Sequence, residues 1–181
     1  MKGIVFTTLF EMLEKAHGLD FVDDLIARSD LPSGGSYTAV GTYSHQEIVE
    51  LVTQLSQVTN QSTSDLLRGF GTYLFQKLAT AYPDFINRSN NLLDFLENVE
   101  TYIHVEVQKL YPEAELPRFE CERLPNGSLN MVYYSARHFE DLCEGLLRGA
   151  CEQFNTPSQI TRETLPNGAE RFLIAPSLPS K

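Results

Sequence analysis

The hydrophobic periodicity of the chain changes once, close to residue 110. Before that point apolar residues recur at intervals of three and four, and from about residue 118 two stretches alternate apolar and polar residues. The first spacing is that of one face of an α-helix, and the second is that of strands which bury one side. The first half is therefore predicted to be helical and the second half mixed, which indicates an α+β protein.

Two copies of the sequence Leu-Pro-Asn-Gly mark the turns of the second half. They begin at Leu124 and Leu165, and each separates two short alternating stretches. Asn-Gly supplies the backbone conformations that tight hairpins need. Two hairpins are predicted, hence four antiparallel strands, and the helical spacing of 139–154 predicts a helix that crosses from one hairpin to the other.

Local signals also mark helix ends in the first half. Ser44, with Glu47 three residues later, and Ser62, with Asp65 three residues later, both predict helix starts, because a serine oxygen caps a free backbone N–H. The Tyr82-Pro83 pair predicts a break, because proline lacks the N–H that a helix interior requires.

Size and charge limit the classes of function. The chain has 181 residues, 42% hydrophobic and 21% charged, and is predicted to form a single domain over 1–181, with a helical part at about 1–65 and a mixed part at about 66–181. Its net charge of -10 disfavours a nucleic-acid partner. We see no export signal and no apolar stretch of membrane-spanning length, which predicts a cytoplasmic protein without a membrane partner.

His104 lies at the edge of the apolar stripe on the longest predicted helix, at about 91–111. His104 follows Ile103, a member of the stripe, so its side chain is rotated by about 100° from the side chain of Ile103 around the helix. At this edge of the apolar face the imidazole is placed to point into a pocket. A half-buried structural histidine is the favoured interpretation of this residue taken alone. None of the four histidines has the spacing of a protein-only metal site.

Tyr133, Ser135 and Arg137 follow one another at intervals of two at the end of a predicted strand. Residues with this spacing leave a sheet on the same side, and two hydroxyls beside a guanidinium suit carboxylate oxygens. The spacing therefore indicates an acidic ligand. The alternative, in which Ser135 only caps the following helix and Arg137 lies on the surface, is equally compatible with the spacing.

Other motifs carry no chemistry. The sequence Gly69-Phe70-Gly71 lacks the third glycine of a dinucleotide fingerprint and lies in a helical pattern, so we expect close helix packing there. No nucleophile has a recognisable activating motif, and the chain is predicted not to be an enzyme. Cys121, Cys143 and Cys151 match neither a disulfide framework nor a metal motif and are expected to be reduced core residues.

Taken together, three stretches resemble the H-NOX family, the haem nitric oxide/oxygen binding domains related to the haem domain of soluble guanylate cyclase. They are Ile103 to Pro112, Pro117, and the Tyr-x-Ser-x-Arg motif that starts at Tyr133, about 30 residues after His104. The resemblance extends over essentially the whole chain and is to the stand-alone bacterial type. It implies a ferrous b-type haem between the two parts of the chain, with His104 as the iron ligand.

The resemblance also assigns the surroundings of that haem. Tyr133, Ser135 and Arg137 would hold the propionates, and Pro117 would lie against the macrocycle and help to distort it. The distal wall would be apolar and would consist of Ile4, Val5, Leu74, Leu78, Leu142 and Leu146. Oxygen-binding members carry a tyrosine at the position of Leu142, so the family pattern predicts a sensor selective for nitric oxide, unless Tyr73 or Tyr134 turns into the pocket.

The family mechanism implies that nitric oxide weakens the bond between iron and His104 until His104 is released, and that the helix carrying His104 then shifts. Carbon monoxide is an expected second ligand. The output is expected to be a separate protein, either a sensor histidine kinase or a diguanylate cyclase/phosphodiesterase. Some relatives hold zinc in their second half, and none is predicted here because the matching positions are Glu140, Leu165, Arg171 and Phe172.

Two other functions stay open at this level. The same His104 and propionate contacts would serve a haem-based oxygen-binding or redox protein, although the missing distal donors count against it. A haem-free module that binds an apolar carboxylate through Arg137 would not need His104 at all.

Overall fold

The computed structural model describes residues 1–177, so the predicted domain end at residue 181 lies outside the described residues. The elements follow the chain as α1 Gly3–His17, α2 Leu19–Arg28, α3 Gln46–Thr59, α4 Thr63–Ala81, α5 Pro83–Asn87, α6 Leu92–Asn98, a π-helical segment Val99–Ile103, α7 His104–Leu110, β1 Arg118–Arg123, β2 Leu129–Tyr134, α8 Glu140–Gln153, β3 Ser158–Thr164 and β4 Glu170–Pro176.

The four strands form one antiparallel sheet in the order β1-β2-β4-β3. Both predicted hairpins are confirmed, and Gly127 and Gly168 adopt φ values of 83° and 81° in their turns, a region that favours glycine. The two central strands, β2 and β4, come from different hairpins, and α8 connects the hairpins by joining β2 to the edge strand β3. Because apolar residues alternate along these strands, one face of the sheet packs against the core. Leu129, Met131, Phe172 and Ile174 are fully buried there.

The core consists of two hydrophobic clusters. The helical cluster is built mainly by α1 to α4, and the sheet cluster is built by β1 to β4 with α6 and most of α8. Phe139 and Leu142, at the start of α8, belong to the helical cluster, whereas Cys143, Leu147 and Ala150 belong to the sheet cluster. Leu146 packs against both, so α8 lies along the boundary between them.

Helices α4 and α8 make close backbone contact through glycine. A Cβ built on Gly71 would overlap the carbonyl oxygen of Leu142 and lie 2.8 Å from the Cα of Gly145. A Cβ on Gly69 would meet nothing within 4 Å. The expectation of close helix packing is therefore confirmed for Gly71 and wrong for Gly69.

The helix starts and the long helix differ partly from the sequence predictions. Ser62 caps α4 by accepting a hydrogen bond from the backbone N–H of Asp65 at 3.0 Å, as predicted. Ser44 also caps its helix as predicted, because its hydroxyl accepts a hydrogen bond from the backbone N–H of Gln46 at 3.2 Å at the start of α3. The carboxylate of the buried Glu47 binds Ser33 of the preceding loop and does not complete a capping box. The predicted helix at 91–111 is interrupted by the π-helical segment.

Candidate functional site

His104 is the first residue of α7 and follows the π-helical segment directly. Its backbone N–H donates to the carbonyl of Val99, five residues earlier, where an α-helix would use the residue four positions earlier. Its side chain is 15% exposed, and its ring lies 5.6 Å from that of Phe119 between centroids. The imidazole is thus held at the boundary of the sheet cluster, as its position at the edge of the apolar stripe indicated.

One of the two ring nitrogens of His104 has a defined partner. Nδ1 lies 3.1 Å from Oε2 of Glu100, and the same oxygen accepts a hydrogen bond from the backbone N–H of Phe119 at 3.0 Å. Burial lowers the pKa of His104, and the contact with Glu100 opposes this shift only in part. A neutral imidazole whose Nδ1–H is engaged offers the lone pair of Nε2 to a ligand or metal.

Glu100 is a residue of this site that the sequence predictions omitted. It precedes His104 by four residues, and such pairs are neighbours on a helix surface, so the spacing contained the signal. Its second contact, with Phe119, joins the helix to β1 across 19 residues of chain. No periodicity in the sequence indicates that contact.

The Tyr133, Ser135 and Arg137 motif is only partly arranged as strand alternation predicts. Strand β2 ends at Tyr134, so Ser135 and Arg137 lie in the turn that follows it and not on the sheet. Tyr133 is buried, with its ring 5.5 Å from that of Phe119 between centroids, and burial raises its pKa to about 12. The Ser135 hydroxyl accepts a hydrogen bond from the backbone N–H of Arg137 at 3.2 Å and does not cap α8.

Arg137 does not point freely into solvent. Its side chain is 18% exposed, and its guanidinium donates to the carboxylate of Glu115, which is itself largely exposed. The hydrogen bond from Arg137 holds the pKa of Glu115 below its ordinary value. Arg137 is therefore positioned to hold a carboxylate on this side of the molecule. Pro117 lies between the two residues along the chain and is half-buried just before β1.

The six predicted wall residues come from α1, α4 and α8. Leu74 and Leu142 are buried in the helical cluster, and Val5, Leu78 and Leu146 pack half-buried against it. Ile4 is half-buried on α1. All six side chains are apolar.

The two tyrosines that were candidates for a distal donor have other partners. The hydroxyl of Tyr73 accepts a hydrogen bond from Nζ of Lys15 at 3.0 Å. The hydroxyl of Tyr134 donates to Oε2 of Glu120 at 2.9 Å, on a side chain that leaves β2 on the opposite face from Tyr133. Their polar atoms are thus engaged with charged residues at the protein surface.

A cavity of about 930 Å³ opens elsewhere, between α4, α8 and β3. Its lining includes Arg68 and Arg148, whose guanidinium groups are bound by the carboxylates of Asp141 and Glu144. None of the predicted site residues lines it. Within residues 1–177, no three histidine, cysteine or acidic side chains are grouped as metal ligands. No helix in this described part has the length and hydropathy needed to cross a membrane.

Comparison with known proteins decides the family. A family model described as Haem-NO-binding matches residues 2–162. The chain belongs to this family. Domains of the family are haem-binding gas-sensor modules and are not themselves catalytic. The prediction made from the His104 and Tyr-x-Ser-x-Arg motifs is confirmed at the level of the family.

Solved structures from bacteria share the whole fold. The ferrous unliganded H-NOX protein of K. algicida is 35% identical, with a TM-score of 0.92 over 100% of this chain and 99% of that chain. An H-NOX protein of S. oneidensis in the Fe(II)NO state is 28% identical, with a TM-score of 0.92 over 98% of this chain and 100% of that chain. The H-NOX of Shewanella woodyi in the Fe(II)CO state is 38% identical, with a TM-score of 0.85 over 100% and 97%. The α+β prediction is confirmed.

Curated relatives are much longer proteins. Soluble guanylate cyclase gcy-32 of Caenorhabditis elegans is 24% identical over 141 residues, which is 76% of this chain and 20% of the cyclase. Soluble guanylate cyclase gcy-34 of the same organism is 23% identical over the same shares. The chain therefore spans about a fifth of the length of these relatives.

Proposed function

We propose that this protein is a haem-based sensor that detects nitric oxide in preference to oxygen and signals by releasing His104. The observation that carries the proposal is the state of the imidazole, which is half-buried, has its Nδ1 bound to Glu100 and has Nε2 left to bind iron. A histidine is the protein ligand that holds the iron in many haem proteins, and the iron in turn binds the gas.

The donor set fits a b-type haem. His104 would supply the nitrogen that binds the iron, Tyr133, Ser135 and Arg137 would hold the propionates, and Pro117 would pack against the macrocycle. The contact of Arg137 with Glu115 supports this role, because a guanidinium positioned for one carboxylate suits a propionate equally well. When bound, the ferrous haem supplies the iron to which nitric oxide or carbon monoxide binds.

The apolar wall supports selectivity for nitric oxide. Bound oxygen is polarised and gains from a hydrogen-bond donor, whereas nitric oxide binds ferrous iron strongly without one. Leu142 offers no hydroxyl, and the hydroxyls of Tyr73 and Tyr134 bind Lys15 and Glu120. These contacts favour a pocket without a distal donor.

The signal would leave through the helix that carries His104. Release of His104 would free α7 and the π-helical segment from the iron and allow that helix to shift. The receiver would be a separate cytoplasmic protein, either a sensor histidine kinase or a diguanylate cyclase/phosphodiesterase.

The test is the anaerobic absorption spectrum of the purified, reduced protein, recorded alone, with nitric oxide, with carbon monoxide and in air. We expect a haem spectrum that responds to both gases, reports loss of the histidine ligand with nitric oxide, and does not show oxygen binding in air. A stable oxygen-bound spectrum would contradict the selectivity and favour an oxygen carrier or redox protein. Absence of haem after reconstitution would favour a module that binds other carboxylates through Arg137.

A further inference from the structure

Glu100 connects the histidine of the site to the sheet. Its Oε2 contacts Nδ1 of His104 at 3.1 Å and accepts the backbone N–H of Phe119 at 3.0 Å, so a single oxygen makes both contacts. The carboxylate is about one-third exposed. It therefore lies between the start of α7 and the start of β1, on the side of His104 opposite to the nitrogen that would bind iron.

The backbone around Glu100 is unusual. Glu100 belongs to the π-helical segment Val99–Ile103, which is closed by the hydrogen bond from His104 to Val99. Such segments are rare, occur mostly as single turns inside α-helices and are frequent at functional sites. Here the turn brings the carboxylate of Glu100 to His104 and to the N–H of Phe119 at the same time.

We propose that Glu100 is the positioning residue of His104, which holds the imidazole in the Nδ1–H form, directs Nε2 towards the iron and strengthens its bond to the metal. A carboxylate that accepts the second N–H of a metal-binding histidine fixes its tautomer and ring orientation and makes it a better donor. The inference rests on the proposed function, since it concerns the strength of the bond that nitric oxide must break.

This role determines how readily nitric oxide releases His104 from the iron. A stronger bond between His104 and iron resists release, and a weaker one yields more readily to nitric oxide. The link to Phe119 keeps the carboxylate in place, because its oxygen is bound by the backbone of β1 as well as by the imidazole. Glu100 would thus determine how easily His104 leaves.

Two substitutions separate the charge of Glu100 from its hydrogen bonds. Glu100→Gln keeps one carbonyl oxygen that can accept from both His104 and Phe119 but removes the negative charge. Glu100→Ala removes the acceptor as well. The measurement is the iron–histidine stretching band of the anaerobic ferrous holoprotein by resonance Raman spectroscopy.

We expect the stretching frequency to fall in the order wild type, Glu100→Gln, Glu100→Ala. Release of His104 after mixing with nitric oxide, followed by stopped-flow absorption, should become faster by on the order of 10-fold in Glu100→Ala, the scale typical of losing an outer-shell partner. A residue that only supported the fold would leave the frequency of a folded variant unchanged.

Glu106→Gln is the matched control. Glu106 lies on α7 two residues after His104, and its carboxylate binds Nζ of Lys109 at 2.7 Å. This variant should keep the wild-type frequency. If Glu100→Ala does not fold, Glu100→Gln decides the question alone.

The outcomes separate the two proposals. Equal frequencies in the wild type and Glu100→Gln, or a higher one in Glu100→Gln, would overturn the role of Glu100 while the haem sensor remained. A wild-type protein that shows no iron–histidine band at all would overturn the proposed function, and the role of Glu100 with it.

Discussion

Gly71 of α4 and Gly145 of α8 face each other where the backbones of the two helices meet. A Cβ on Gly71 would lie 2.8 Å from the Cα of Gly145, and a Cβ on Gly145 would lie 2.8 Å from the Cα of Gly71. The two glycines allow the backbones to touch, and this contact brings Leu74 of α4 and Leu142 of α8 into the same cluster. The arrangement of the predicted distal wall therefore depends on the absence of a side chain at both glycines.

Gly71→Ala should destabilise the protein. The added methyl would overlap backbone atoms of α8, which cannot move as a flexible side chain does. We expect the free energy of unfolding, measured by urea denaturation, to fall by about 1 to 3 kcal/mol.

Gly69→Ala is the control for that substitution. It lies on the same helix, where a Cβ meets nothing within 4 Å, so helix propensity should raise the free energy of unfolding by about 0.5 to 1 kcal/mol. Similar changes in both variants would contradict the packing argument.

Leu142→Tyr should give the protein measurable oxygen binding. The new hydroxyl would supply the donor that a polarised oxygen ligand needs, at a position the family pattern assigns to the distal wall. The measurement is the absorption spectrum of the ferrous protein in air.

Leu142→Phe controls for the size of the new ring. Both variants overfill a buried position, which costs about 1 to 3 kcal/mol, but only the tyrosine carries a hydroxyl. Oxygen binding by the phenylalanine variant, or none by the tyrosine variant at full haem content, would argue against a donor-based selectivity.

His104→Ala should abolish stable ferrous haem binding, and added imidazole should restore the haem spectrum. The substitution leaves space where the ring was, so free imidazole can replace the missing donor. His17→Ala is the control, because His17 is exposed at the end of α1 and should leave the haem content unchanged. Normal haem binding by His104→Ala without imidazole would exclude His104 as the iron ligand.

The stabilising contacts of Asp141 should be lost in acid, which lowers the free energy of unfolding there. Its carboxylate accepts hydrogen bonds from Arg68 at 2.9 Å, Arg162 at 2.7 Å and Ser64 at 2.8 Å, which tie α8 to α4 and β3. Burial alone would raise the pKa of Asp141, but the hydrogen bonds from Arg162 and Ser64 and the nearby positive charges outweigh it, and the pKa is lowered. The stabilisation is therefore complete above the unfolded pKa of about 3.9 and is lost as the pH falls through the folded value.

Asp141→Asn should flatten this dependence. We expect the free energy of unfolding to fall less steeply between about pH 5 and pH 2 than in the wild type, because the variant has no proton to bind at this position. Asp23→Asn, on the exposed side of α2, should keep the wild-type slope. Parallel curves for the wild type and Asp141→Asn would contradict the role of this ion pair.

The secondary structure was largely predictable because its causes are local. The Asn-Gly turns, the Ser62 cap and the proline at residue 83 act over a few residues, and the confirmed hairpins, the start of α4 and the break after it rest on them. Ser44 caps the first N–H of α3 in the same local way, but the carboxylate of Glu47, three residues later, is bound by Ser33 and Tyr37 of the preceding loop. A tertiary contact there outweighed a local preference.

The features of the candidate site also divide into those that the sequence predicts and those that depend on tertiary contacts. The sequence alone determined the family, the helical position of His104, the Tyr-x-Ser-x-Arg motif and the apolar character of the residues proposed for the distal wall, because residue identity and spacing carry that information. Only the tertiary structure decided that Glu100 joins His104 to Phe119, that Arg137 meets Glu115, and that Gly71 touches Gly145. Glu100 and Phe119 lie 19 residues apart in the chain, Glu115 and Arg137 lie 22 apart, and Gly71 and Gly145 lie 74 apart. Contacts between residues so distant are set by packing, which leaves no periodic pattern in the sequence.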